Sequence, residues 1–211
     1  MPDESPHPGE GIGKSRLESL SDGIFAFAMT LMVISLAVPE IPYEEAPELL
    51  PGILAGMHTQ FLIFTIAFLV ISTYWLSHHQ ILRSVQFVND RLIWINILFL
   101  FFIVLIPFTT ATSGDYTNVL EAVILFHVNL LIASLMLTLL WWYIMRHFDD
   151  LNPGGKYPGG RGREKAVVIP AVTLLAIGVS FVSTSGSMWC YLLIPVIMVI
   201  LKHRPGQGRI S

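Results

Sequence analysis

The chain has 211 residues, of which 54% are apolar and only 13% charged, with a formal net charge of −3 and a mean hydropathy of +0.66. A soluble domain carries nearer a quarter of its residues as charges, so this composition points to an all-α integral membrane protein. The single cysteine, Cys190, excludes an internal disulfide and any multi-Cys metal site.

The first fourteen residues, MPDESPHPGEGIGK, are polar and rich in Pro and Gly and read as a disordered cytoplasmic tail over 1–14. They lack the features of a cleaved leader, so the apolar run that follows is expected to be a retained first span. Six apolar runs then predict six transmembrane helices: about Leu20 to Val38, Ile53 to Leu76, Leu92 to Phe108, Val119 to Met145, Ala166 to Val182 and Met188 to Leu201. A span needs about 20 residues; the last two runs are short, and the sixth contains Pro195. The membrane domain is expected over 15–204, with a second cytoplasmic tail over 205–211. All twelve Lys and Arg fall on one side of this six-span layout, so the positive-inside rule places both termini in the cytoplasm.

The loop DDLNPGGKYPGGRGREK is basic; it reads as a solvated linker, or as a segment that touches anionic lipid headgroups. No GxGxxG, GxxxxGK[ST] or HExxH is present, which argues against an ATP-driven pump or a membrane metalloprotease. No nucleophile, base and oxyanion set can be assembled, so an enzyme is not expected. Nothing in the chain calls for a nucleic-acid partner or a cofactor.

Polar residues inside spans nominate sites, because each must be paired or face water. Arg16, Ser21 and Asp22 stand at the mouth of the first span, and His78, His79, Asn89, Arg91 and Asn96 lie near the same end of spans two and three. A buried knot among them would fix span one by charge-assisted hydrogen bonds; otherwise the charged groups simply sit at headgroup level. His78 and His79 diverge by about 100° on a helix and lack a third ligand, so no metal site is expected there. His58, Glu121 and His127 are weaker candidates. Beyond the knot, Phe27, Thr30, Leu31 and Ile34 recur at helical spacing on span one. Such a stripe is a packing seam unless identical helices surround an axis, where it becomes a constriction; periodicity does not choose. No S4-like Arg array and no TVGYG filter is present.

Three stretches, RLESLSDGIFAFAMTLMVISLAVP, TYWLSHH and NDRLIWINILFLFFIVLIPFTT, resemble the TMEM175 family of potassium channels in its prokaryotic six-helix form. The family's RxxxFSD motif is matched by Arg16, Ser21 and Asp22, with Leu20 in place of the motif Phe. The resemblance implies a potassium-selective channel in the cell inner (plasma) membrane, a homotetramer whose first helix lines a central pore, with K+ as the permeant ion. It implies a constriction at Phe27, Leu31 and Ile34, ion coordination at Thr30, and an interhelical polar network of Arg16, Ser21, Asp22, His78 and Asn96. Phe27 departs from the more usual Ile or Leu. The runner-up reading is a proton-coupled or other secondary cation transporter.

Overall fold

A computed structural model describes residues 13–36, 40–157, 161–194, 196–197 and 200. All regular structure among them is helical. The first helix, α1, spans Lys14–Leu31 and tightens into a 3-10 turn over Met32–Ser35. Then come α2 (Ala46–Gly56), α3 (His58–Leu82), α4 (Asp90–Val104), α5 (Ile106–Asp115) and α6 (Leu120–Arg146). The chain continues through the short α7 (Phe148–Leu151), α8 (Arg161–Ser180), α9 (Thr184–Ser187) and a 3-10 segment over Met188–Leu192.

Four stretches are long and apolar enough to cross a bilayer: Lys14–Ile34, His58–Leu82, Asp90–Asp115 and Leu120–Arg146. The second begins later than hydropathy suggests, because the chain bends at Met57 and the preceding apolar residues belong to α2. The third is α4 and α5 in series, broken at Leu105. Pro107 causes that break: it has no amide proton to give Ile103, and its ring crowds the preceding turn. Asn129 spans the gap, donating from Nδ2 to the Phe102 carbonyl at 3.2 Å. The stretch between the expected third and fourth spans, TTATSGDYTN, is instead helical as far as Asp115, as the end of α5. The apolar part of α8, Val167–Ser180, is shorter than a span. The expected sixth run falls partly outside the described residues, as do the Pro39 end of the first run and both expected tails, apart from Gly13 and Lys14.

The helix α6 is the hub, packed on α4, α5 and α8. Its hydrogen bonds to neighbouring helices are specific. Tyr74 Oη on α3 donates to the Leu130 carbonyl at 2.7 Å, and Tyr143 Oη donates to Asn89 Oδ1 at 3.2 Å. The same Asn89 oxygen caps α4 by accepting from the Leu92 amide.

His127 on α6 is fully buried and uses both ring nitrogens, Nδ1 with Tyr191 Oη and Nε2 with Ser187 Oγ, each at 2.8 Å. Ser187 Oγ donates to the Thr184 carbonyl, so it accepts from His127 Nε2–H. Nδ1 is therefore the acceptor for the Tyr191 hydroxyl. This pairing fastens the chain after α8 to the hub. Tyr191→Phe keeps the ring contacts and deletes one buried bond. It is expected to lower stability by about 1 kcal/mol, a fall of about 2–4 °C in thermal midpoint.

Candidate functional site

Two faces of α1 have opposite fates. Leu17, Ser21, Phe25, Ala28 and Met32 are buried, at spacings of three and four that form one stripe. This face packs on α3, α4 and α5. The other face carries Leu20, Phe27 and Ile34, which are 49%, 67% and 70% exposed. The share of α1 inside the protein is the smallest of the four long spans, 28% against 44–50%.

The buried face holds a chain of hydrogen bonds. Ser21 Oγ donates to the Leu17 carbonyl at 2.8 Å and accepts from Asn96 Nδ2 at 3.1 Å. Asn96 Oδ1 lies 2.6 Å from His78 Nε2. With the Asn96 amide donating to Ser21, its oxygen must be the acceptor, so His78 carries its proton on Nε2. The three residues come from α1, α4 and α3 and are at most 1% exposed. Aromatic rings seal them: His78 stacks on Phe99 with centroids 5.3 Å apart and lies 5.7 Å from Phe25. Buried in this way, the hydrogen-bonded chain orients α1 about its own axis, because a different rotation would strand its polar atoms in apolar surroundings.

Asp22 is one step outside this chain. Its Oδ1 accepts from Trp75 Nε1 at 2.8 Å, and the Trp75 indole stacks on His79 with centroids 5.9 Å apart. Trp75 was visible in the sequence only as part of the stretch TYWLSHH; nothing marked it as the carboxylate's partner, since that pairing joins residues 53 apart in the chain. Arg16 is not joined to the network. It is exposed and forms no ion pair among the described residues, where the one salt bridge is Lys14–Glu18 at 3.6 Å.

On the open face, Thr30 Oγ1 donates to the Phe27 carbonyl at 2.9 Å, which leaves its lone pairs directed away from the backbone. Leu31 is half-buried and sits on the shoulder of the stripe. There, with Leu20, Gly23, Phe27 and Val104 of α4, it lines an apolar groove of about 410 Å³. Among the described residues no three His, Cys, Asp or Glu side chains gather as a metal site.

Residues 16–107 match the family described as "Endosomal/lysosomal potassium channel TMEM175". A potassium channel of Streptomyces collinus is 28% identical over 80% of this chain and 82% of its own. The human endosomal/lysosomal proton channel TMEM175 is 24% identical over 79% of this chain, but that spans only 36% of the human protein. A crystal structure of a lysosomal potassium-selective channel TMEM175 homolog from Chamaesiphon minutus shares the fold, with a TM-score of 0.74 over 90% of this chain and 98% of that one at 23% identity.

These matches correct the expected plasma-membrane location. The family and the vertebrate relatives are described as endosomal/lysosomal. Apolar length and charge asymmetry report a bilayer, not which organelle owns it. The family is one of channels rather than catalysts. Across residues 16–107, in which the hydrogen-bonded chain of Ser21, His78 and Asn96 lies, this chain is similar to the TMEM175 family, and bacterial potassium channels are among its relatives.

Proposed function

We propose that the protein is a potassium-selective channel, a homotetramer in which α1 of each copy lines a central pore across a six-span fold with both termini on one side. The observation that carries this reading is the exposure of Phe27 and Ile34 in a helix meant for lipid or a partner, beside a buried face clamped by Ser21, Asn96 and His78. Leu20, Gly23, Phe27 and Thr30 follow one another at intervals of three, four and three residues, the repeat with which several identical helices pack about an axis. Adding a Cβ at Gly23 would meet nothing within 4 Å. No contact inside the protomer therefore requires glycine there, and a residue this small suits the close approach of a neighbouring helix.

In this arrangement Phe27 and Ile34, with Leu31 at the shoulder, form apolar rings that exclude water when narrow and so control passage by dewetting. Thr30 Oγ1, its proton held by the Phe27 carbonyl, offers lone pairs that replace part of a cation's hydration shell. The fixed rotation of α1 matters to both roles, since a turn of one residue would swing these side chains by about 100°.

Ion flux into liposomes carrying the purified protein tests the reading: K+ uptake is expected to exceed Na+ uptake, and equal rates would remove the selectivity claim. Replacing Thr30 with valine keeps the shape and removes the oxygen. The K+/Na+ ratio is then expected to fall by about two- to fivefold, measured in the same vesicles.

A further inference from the structure

The resemblance implies a place for Arg16 in the buried network, yet the structure puts it on the opposite side of α1. Eleven residues separate Arg16 from Phe27, and at about 100° each this returns the helix to within about 20° of the same direction. Arg16, Leu20, Gly23, Phe27 and Thr30 thus form one continuous stripe with intervals of four, three, four and three. Arg16 is exposed and without an ion pair among the described residues. The two carboxylates on α1 are already engaged elsewhere. Glu18 pairs with Lys14, and Asp22 accepts from Trp75, pointing about 120° away from Arg16 and standing about 9 Å further along the axis.

We propose that Arg16 faces the conduction path at the amino-terminal mouth of α1, where its copies form a positive ring that opposes cation entry from that side. This rests on α1 being the pore helix. The guanidinium is charged at every relevant pH, and at a narrow mouth with low-dielectric walls its field is focused onto passing ions. The ring lowers the local cation concentration at one mouth and leaves the other unchanged, so current in the two directions becomes unequal. The asymmetry must depend on salt, because the screening length is about 30 Å at 0.01 M and about 3 Å at 1 M. Arg16 is a conductance-determining residue in this account, not a part of the clamp.

Single-channel currents in planar bilayers, with equal KCl on both sides, decide the matter. Wild type is expected to rectify by about twofold or more at 10 mM KCl and to become nearly linear at 1 M. Arg16→Gln should be linear at both concentrations and carry more current at 10 mM, while Arg16→Lys, which keeps the charge, should rectify as wild type does. An Arg16→Gln channel that rectifies as strongly as wild type at 10 mM, a linear wild type, or a linear Arg16→Lys channel overturns the ring. Absence of current at 1 M in wild type and both variants overturns the channel reading beneath it, so the two failures are separable.

Discussion

Truncating Phe27 to alanine is expected to raise cation flux through the reconstituted protein by about tenfold, equivalent to removing about 1.4 kcal/mol from the barrier. Phe27 projects from the open face of α1 with 67% of its surface exposed in the protomer, so the substitution deletes no core contact of the kind that holds the bundle together. What it deletes is a bulky apolar ring from the narrowest level of the proposed pore, widening it and easing the entry of water. Liposome flux under a potassium gradient measures the change, with chromatographic elution confirming that assembly is intact. An unchanged rate would mean that Phe27 is not the constriction. Phe27→Leu, which restores a residue of the kind more usual at this position, should fall between wild type and Phe27→Ala, because barrier height follows the apolar volume at that level.

The largest loss of stability is expected from Asn96→Leu. Leucine matches asparagine in heavy-atom count and branching, and its methyl groups are bulkier, so no cavity is left and the effect is chiefly one of lost hydrogen bonds. The substitution takes the acceptor from His78 Nε2–H and the donor from Ser21 Oγ at once, in a site where all three side chains are at most 1% exposed. Stranding a buried donor costs about 1–3 kcal/mol. Single interhelical hydrogen bonds in membranes average nearer 0.6 kcal/mol, because separated helices find other partners. Two partners lost together within an aromatic cage put the expected cost at about 2 kcal/mol. A fall of about 4–8 °C in thermal midpoint, read by fluorescence-detected chromatography, corresponds to it. Ser21→Ala should cost less than half as much, since the His78–Asn96 bond survives. Equal midpoints for wild type and Asn96→Leu would show that the chain of bonds does not hold α1. Because the clamp sets the rotation of α1, Asn96→Leu is also expected to disturb conduction, whereas Phe27→Ala is expected to leave the midpoint nearly unchanged. The two substitutions therefore separate the buried face from the open one.

Much of this was legible in the chain itself. Scarcity of charge and long apolar runs determine an all-helical membrane protein, because lipid leaves a backbone no partner but its own next turn. Polar residues stand out against such a background, and Ser21, His78 and Asn96 could be nominated for that reason alone. Pro107 was visible too, but hydropathy carries an apolar run through a proline; the break at Leu105 and the polar helix beyond it emerge only when backbone hydrogen bonds are followed. Tertiary structure decided what periodicity left open. It bonded Asp22 to Trp75 and His127 to Tyr191, pairs that are distant in sequence and carry no spacing signal. It also divided the residues at the start of α1 between two faces: Ser21 is locked inward by Asn96, and Arg16 is turned outward in line with Phe27. A sequence lists the donors and acceptors available to a helix. Which of them meet depends on how each helix is rotated against its packed neighbours, and only those neighbours determine that angle.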